Sequence, residues 1–226
     1  VDSAEVFGKS GKAFGRFQKY LSDFPAESLS EIIKNFHNTI WRYENEFIPA
    51  VQADKADRAV NCGEEIKFVM HRREDCKKLV ELIEKGELPL RVTHNDTKLN
   101  NVLFDSDSDD AICVIDLDTV MPGLALYDFG DSIRFGANSC AEDDDNYDKV
   151  ELMLDYFEAY AKGFLSEAGD ALNQCEIDNL AFSAKLMTFE CGMRFLTDYL
   201  NGDIYFKTAY PCLLYTSDAA DDLTRV

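Results

Sequence analysis

Positive charge is scarce in this chain. Its 23 lysines and arginines are outnumbered by 43 aspartates and glutamates, which gives a formal net charge of −20 over 226 residues. Such a surface repels nucleic-acid backbones and anionic lipid head groups, so neither nucleic acid nor an anionic membrane is expected as a partner. A small phosphorylated ligand is not excluded, because it needs only local positive charge. The acidic clusters at residues 105–110 and 143–148 are predicted to be solvated loops.

Long apolar runs and paired cysteines are missing as well. No apolar run approaches the roughly 20 residues of a membrane-spanning helix. The seven cysteines include no Cys-x-x-Cys motif and the three histidines lie far apart, so a zinc site has little support. An odd number of cysteines without a signal peptide indicates reduced thiols in a cytoplasmic protein. With 46% hydrophobic residues, the chain can bury a core, as one large domain or two small ones.

The most informative stretch, residues 91–118, reads RVTHNDTKLNNVLFDSDSDDAICVIDLD. Two apolar runs rich in β-branched residues, at 90–93 and 111–115, are predicted strands. Between them the pattern His-x-Asp-x-Lys-x-x-Asn fills residues 94–101, and an Asp-x-Asp element follows at 116–118. Polar groups crowded at the ends of strands indicate a functional site on a rigid scaffold.

This spacing is typical of the catalytic loop of a phosphotransferase. Phosphoryl transfer needs a carboxylate for the attacking hydroxyl, hard oxygen ligands for Mg²⁺, and positive charge near the moving phosphoryl group. Asp96 fits the first role, Asn101 and Asp116 fit the second, and Lys98 fits the third. The simpler interpretation is a polar hairpin in which aspartates cap a turn. The octet and the Asp-x-Asp element together favour the phosphotransferase.

Apolar residues at helical spacing predict helices over most of the remaining chain. The predicted helices are residues 4–21, 38–53, 63–85 with a kink near 71–74, 126–135, 147–164 and 176–200. Pro122 and Gly123 are predicted to form a turn. Asp128 and Asp131 are expected to cap the start of their helix and to hydrogen-bond the catalytic loop. The expected fold class is α+β and mainly helical, with a small β-hairpin at the catalytic loop.

Three segments, VTHNDTKLNNVLFD, VIDLDTVMPG and YDFGDSIRFGAN, carry a family resemblance. They resemble the aminoglycoside phosphotransferase and choline kinase group, and within it the bacterial N-acetylhexosamine 1-kinases, also labelled mucin desulfatase-like. The resemblance implies the C-terminal (large) lobe of a protein-kinase-like fold. It also implies ATP and Mg²⁺ as cofactors and transfer of a phosphoryl group to the anomeric hydroxyl of an N-acetylhexosamine, GlcNAc or GalNAc.

The resemblance also assigns individual residues. Asn95, Arg194 and Tyr205 match positions that bind the sugar, and His94 matches the first loop position, which holds the loop geometry. Asp118 has two interpretations, support of the metal site or bracing of the loop.

Each sugar-binding assignment has a simpler alternative. Arg194 has Glu190 and Asp198 at helical i,i+4 spacing, so a salt bridge within the helix would explain it. Tyr205 would be a core residue, and Asn95 would only shape the loop. The match to the sugar kinases favours the binding roles over these alternatives.

The resemblance finally suggests a domain organisation. Residues 1–211 are expected to be the phosphotransferase large lobe, with the small ATP-binding lobe upstream of Val1, and residues 212–226 to be a foreign, adapter-derived tail. A fragment without the small lobe is expected to be inactive. The alternatives are a kinase of another small alcohol or an aminoglycoside on the same fold, and a non-catalytic binding protein.

Overall fold

The computed structural model describes residues 3–140 and 149–206. The helices are α1 (Ala4–Tyr20), α2 (Thr39–Arg42), α3 (Ile48–Ala53), α4 (Gly63–His71), α5 (Arg73–Glu84), α6 (Ala125–Gly136), α7 (Leu154–Ala168), α8 (Gln174–Asp178) and α9 (Leu180–Asn201). The strands are β1 (Arg91–Thr93), β2 (Val102–Phe104), β3 (Ala111–Val114) and β4 (Met121–Gly123). The prediction of a mainly helical fold with little β-structure is confirmed. The predicted tail at 212–226 and the acidic cluster at 143–148 lie outside the described residues.

Helix α1 packs along α7 through glycines. A Cβ atom on Gly11 would lie 2.5 Å from the carbonyl oxygen of Tyr160, and one on Gly15 would lie 2.5 Å from that of Phe164. Folded proteins essentially never contain such short Cβ contacts, so the two backbones come this close only because the side chains are missing. Phe7 on α1 then packs its ring 4.8 Å from that of Tyr160, and both side chains are fully buried.

Helix α6 lies at the centre of the molecule. Leu126, Phe129 and Ile133 are almost fully buried, and so are most other residues of the helix. Its close partner is α9, where a Cβ on Gly130 would lie 2.5 Å from the carbonyl oxygen of Ser183. None of the helices within the described ranges is long and apolar enough to cross a membrane.

The strands form two small antiparallel sheets, β1 with β4 and β2 with β3. The two predicted strands therefore exist but do not pair with each other; the hairpin is β2–β3, joined by the exposed acidic loop at 105–110. The predicted turn at Pro122 and Gly123 is wrong, since both residues belong to β4. Gly123 instead allows β4 to lie close to β1, because a Cβ atom on this residue would lie 2.4 Å from Oγ1 of Thr93.

Several helix boundaries differ from the periodic pattern. The predicted kink in 63–85 is confirmed as a break at Arg72 between α4 and α5. The predicted helix 176–200 is divided at Asn179 into α8 and α9. From residue 149 on, where the structure describes the predicted helix 147–164, the helix begins at Leu154, because the backbone before it pairs with the chain that follows α6: the amide of Met153 donates to the carbonyl oxygen of Ala137 at 2.8 Å.

Candidate active site

The loop after β1 is held from inside by His94, which is 0% exposed. The backbone N–H of Asp96 donates to Nδ1 of the imidazole at 3.3 Å, so the proton of the neutral ring lies on Nε2. Nε2 donates to the carbonyl oxygen of Ile115 at 2.9 Å. The rings of Phe14 and Phe17 pack edge-on against the imidazole. His94 thereby links the catalytic loop to the chain just after β3.

Two carboxylates of α6 fix the loop backbone. Oδ2 of Asp128 accepts from the amide of His94 at 3.0 Å, and Oδ1 accepts from the amide of Asn95 at 2.8 Å. Oδ2 of Asp131 accepts from the amide of Thr97 at 3.1 Å. The predicted hydrogen bonds to the catalytic loop are therefore confirmed. The predicted helix cap is wrong, because α6 has no side-chain cap at its start and both carboxylates face the loop.

The two carboxylates differ in their electrostatics. Burial raises the pKa of Asp128, and the amides of His94 and Asn95 offset only part of that rise. Burial acts in the same direction on Asp131, but the Arg134 guanidinium, bound to Oδ1 at 2.9 and 3.0 Å, lowers the pKa below its usual value. Asp131 is therefore ionised at neutral pH and is paired on one side with the loop and on the other with Arg134.

Three residues of the catalytic-loop motif form one contact group. Nζ of Lys98 lies 3.0 Å from Oδ1 of Asp96. Nδ2 of Asn101 donates to Oδ2 of Asp96 at 3.2 Å and to its backbone oxygen at 2.8 Å. The side chain of Asp96 remains 27% exposed and that of Lys98 36% exposed. The carboxylate is thus oriented by two neighbours and still accessible to a small molecule.

The backbone just before Asp116 is hydrogen-bonded to the backbone of Asn101, a member of this contact group. The amide of Ile115 donates to the carbonyl oxygen of Asn101 at 2.9 Å, and Asp116 follows in the left-handed conformation with φ of 61°. Asp116 and Asp118 are both exposed. Within the described ranges, no hydrogen bond involves the Asp116 carboxylate or Oδ1 of Asn101.

The donor set fits a magnesium ion of the nucleotide-bound kind. The Asn101 amide and the Asp116 carboxylate offer hard oxygen ligands, and Mg²⁺ in phosphotransferases is held by one or two protein groups together with phosphate oxygens. In the part of the chain that the structure describes, no cluster of three or more His, Cys, Asp or Glu side chains could hold a metal by itself. A metal here would need substrate phosphates to complete its coordination.

A cavity of about 1060 Å³ opens beside Asp96 and is called here the catalytic-loop cavity. Its volume suits a substrate of sugar size or somewhat larger. The predicted site residues that line it are Asn95, Asp96, Lys98, Arg194 and Tyr205. The other predicted residues, His94, Asn101, Asp116 and Asp118, are not part of its wall.

Arg194 enters this cavity from α9 between aromatic rings. Its guanidinium carbon lies 5.7 Å from the ring centroid of Phe36, 5.9 Å from that of Tyr205 and 5.5 Å from that of Phe206. Tyr205 is 70% exposed, so it is not a core residue. Cation–π contacts hold the guanidinium in place without using its N–H groups, which stay available for a ligand.

The alternative salt bridges of this arginine do not form in the structure. Oε1 of Glu190 lies 2.8 Å from Nδ1 of His37, and Oε2 accepts from the Thr39 hydroxyl at 2.5 Å. The oxygens of Asp198 accept from the backbone amides of residues 204–206 at 2.9 to 3.0 Å. Both carboxylates therefore serve other partners.

Asn95 is occupied within the protein. Its Nδ2 donates to the carbonyl oxygens of Thr93 at 3.2 Å and Thr119 at 2.9 Å, and its Oδ1 accepts from the Thr93 hydroxyl at 3.0 Å. With φ of 65° and 4% exposure, the residue shapes the loop. Only the second lone pair of Oδ1 is left to meet a ligand.

Sequence reasoning missed a set of hydroxyls that brace the loop. Thr97 donates to the carbonyl oxygen of Asp128 at 2.6 Å, Thr119 to that of His94 at 2.7 Å, and Ser132 to that of Thr97 at 2.8 Å. The one available signal was the position of Thr97 inside the octet. Thr119 and Ser132 had no signal, because single hydroxyl residues are common in any loop or helix.

Comparison with known families agrees with this geometry. Residues 2–163 match the family described as the Phosphotransferase enzyme family (APH). The match includes α1, the catalytic loop and Asp116, and it ends within α7 before Arg194 and Tyr205. Because it covers well over half of the 226 residues, the chain belongs to the phosphotransferase enzyme family.

Proposed function

We propose that this protein is an ATP-dependent kinase that phosphorylates the anomeric hydroxyl of an N-acetylhexosamine in the cytoplasm. The described helical body would be its large lobe, with residues 212–226 outside the functional unit. The observation that carries this proposal is the catalytic-loop cavity, in which Asp96 and Lys98 share one space with Arg194 and Tyr205. A carboxylate, a cation and a hydroxyl-binding wall are what sugar phosphorylation requires of the protein.

Asp96 is the general base in this mechanism. The sugar hydroxyl donates its proton to the Asp96 carboxylate while its oxygen bonds to the γ-phosphorus and the bond to ADP breaks. Lys98, 3.0 Å from Oδ1 of Asp96, reduces the negative charge on the moving phosphoryl group. Asn101 keeps the carboxylate oriented through Nδ2.

Asn101 and Asp116 would hold magnesium with the phosphates of ATP. The ion, when bound, supplies positive charge that offsets the charge of the phosphate oxygens. The Asp116 carboxylate and the Asn101 amide oxygen contribute ligands from two adjacent backbone segments. Asp118, exposed two residues further along, would support this metal site.

The substrate wall would be formed by α9 and the residues after it. A guanidinium presents parallel N–H groups that suit vicinal hydroxyl oxygens, and the Arg194 guanidinium has no carboxylate within ion-pair distance in the described ranges. The exposed Tyr205 offers a ring face or a hydroxyl to the sugar. Asn95 would contribute the remaining lone pair of Oδ1 next to the base.

The test measures ADP release by the full-length protein with Mg²⁺ and a panel of acceptors: GlcNAc, GalNAc, glucose, choline and an aminoglycoside. We expect turnover with an N-acetylhexosamine and a product with phosphate at the anomeric carbon, identified by ³¹P NMR. Asp96→Asn should lower kcat by about 10²-fold or more with an unchanged circular dichroism spectrum. Asp107→Asn, in the exposed β2–β3 loop, is the matched control and should retain full activity.

Two results would overturn the proposal. Preferred turnover of choline or the aminoglycoside would replace the sugar by another alcohol. Unchanged kcat in a folded Asp96→Asn variant would remove the proposed base.

A further inference from the structure

We propose that His37 is a further substrate-positioning residue, whose Nε2 atom forms a hydrogen bond with a hydroxyl of the acceptor other than the one that is phosphorylated. This inference rests on the proposed function, because it names a contact to the same substrate. His37 precedes α2 and lines the catalytic-loop cavity together with Asn95 and Asp96.

The first observation is an unpaired polar atom. His37 is 7% exposed, and its Nε2 is buried without a hydrogen-bond partner among the described residues. A buried nitrogen without a partner costs free energy, so native proteins almost always pair such atoms with protein, water or ligand. A histidine on the wall of a substrate cavity has a ready partner in a bound hydroxyl.

The second observation is that the other nitrogen is fixed. Nδ1 lies 2.8 Å from Oε1 of Glu190, whose Oε2 accepts from the Thr39 hydroxyl. Nε2 is the other nitrogen of the imidazole ring and lies on the side away from Nδ1, so it points away from Glu190. The ring is further confined by Phe36 at 4.4 Å and Tyr127 at 5.2 Å between centroids.

The charge of Glu190 fixes the role of Nδ1. Burial acts to raise the pKa of Glu190, but the hydrogen bond and charge of His37, the Thr39 hydroxyl and Arg42 lower it below its usual value. An ionised Glu190 can only accept, so Nδ1 donates its proton to Glu190. Nε2 is therefore the ring nitrogen left for the substrate, and a hydroxyl can pair with it because a hydroxyl both donates and accepts hydrogen bonds.

The geometry also explains why the contact would position the substrate. Glu190 and Arg194 are both on α9 and are separated by one helical turn. His37, held by Glu190, and Arg194 therefore approach the same cavity from neighbouring points, facing the loop that carries Asp96. A sugar with hydroxyls on several carbons can meet both while the reacting hydroxyl lies at the base.

Two substitutions separate positioning from structure. His37→Asn places an amide N–H where Nδ1 was, so the bond to Glu190 is kept and the ring nitrogen Nε2 is lost. His37→Gln places an amide group near the position of Nε2. We expect His37→Asn to raise the KM for the acceptor about tenfold, with an unchanged KM for ATP. His37→Gln should restore the acceptor KM at least partly, and the exposed-histidine control His71→Asn should behave as wild type.

Deoxy sugars identify the hydroxyl. The analogue that lacks the His37-bound hydroxyl should lose about tenfold in kcat/KM with the wild type and lose nothing further with His37→Asn. If every deoxy analogue loses as much with the variant as with the wild type, the proposed contact does not exist.

A binding measurement keeps this inference separate from the kinase proposal. The chain has only three histidines, so long-range ¹H–¹⁵N NMR spectra resolve their ring nitrogens, and His37→Asn assigns one of them. Adding GlcNAc or GalNAc without nucleotide should shift Nε2 of His37 and leave the His71 signals unchanged. A shift without turnover of any acceptor would refute the kinase and keep the binding contact. Normal turnover with a wild-type acceptor KM in His37→Asn and no Nε2 shift would overturn the role of His37.

Discussion

Replacing Glu190 with glutamine removes the charge at the centre of a buried polar cluster. Glu190 is 1% exposed, and its carboxylate binds His37 at 2.8 Å and Thr39 at 2.5 Å, with Nε of Arg42 at 4.0 Å. Glutamine has nearly the same shape but only one acceptor oxygen. One of the two donors must therefore rotate away or lose its partner, and the contact that remains is no longer made to a charged carboxylate.

The cost follows from the strength of these hydrogen bonds. Bonds to charged groups contribute about 1.5–3 kcal/mol and neutral ones about 0.5–1.5 kcal/mol, so two such changes destabilise the fold by about 2–3 kcal/mol. For a chain of this size that corresponds to a fall in Tm of about 5–10 °C.

The effect should depend on pH in a defined direction. Burial acts to raise the folded-state pKa of Glu190, but the His37 contact, Thr39 and Arg42 outweigh burial, so this pKa is lower than that of an unfolded glutamate. A lowered carboxyl pKa contributes stability that is complete above the unfolded pKa of about 4.3 and is lost as the pH falls through the folded pKa. The difference between wild type and Glu190→Gln should therefore be full at pH 7 and shrink below about pH 4.

Urea unfolding at a series of pH values measures this difference, and the single tryptophan, Trp41, two residues after Thr39, provides the fluorescence signal. Glu158→Gln is the matched control, because Glu158 is an exposed residue paired with Lys162 on the surface of α7. Its unfolding midpoint should stay near that of the wild type. Equal midpoints for wild type and Glu190→Gln at pH 7, or a difference that does not change with pH, would refute the reasoning.

Two further predictions concern the site directly. Asp116→Ala should abolish Mg²⁺-dependent turnover in the full-length protein while leaving the Tm unchanged, because an exposed carboxylate proposed as a metal ligand is removed; activity that persists in excess chelator would contradict the assignment. Arg194→Ala should raise the KM for the sugar tenfold to a hundredfold and leave the KM for ATP nearly unchanged, since about 1.5–3 kcal/mol of hydrogen bonding to a charged group is lost. Steady-state kinetics with both substrates decide whether Arg194 touches the sugar. The control is Lys185→Ala, also on α9, whose side chain pairs with Asp75 at 3.1 Å and does not line the catalytic-loop cavity.

The sequence alone was sufficient to predict the features that depend on interactions between residues close together in the chain. The amphipathic pattern of α1 and the break between α4 and α5 follow from periodicity, and the structure has both. The motif spacing likewise predicted the group of Asp96, Lys98 and Asn101, since the three lie within six residues and one short loop brings them together.

Features that depend on distant partners were not predictable in this way. A Pro-Gly pair is typical of a turn, but Gly123 pairs with Arg91, 32 positions earlier in the chain, and permits the close approach to Thr93. The Glu190–His37 contact spans 153 positions and leaves no periodic signal. A single histidine beside aromatic residues is typical of a core, and only its three-dimensional surroundings show that one nitrogen is bound and that the other has no partner among the residues the structure describes.

The central position of α6 has a consequence for how this enzyme could change its substrate. Asp128 and Asp131 hold the loop that carries Asp96, the proposed base, and Gly130, between them in sequence, brings the same helix against the backbone of α9, which carries Arg194. One helix thus sets the distance between the proposed base and the proposed substrate wall. Evolution toward a larger or smaller acceptor would therefore proceed by exchanging side chains on α9, because lengthening the loop would detach it from both carboxylates at once.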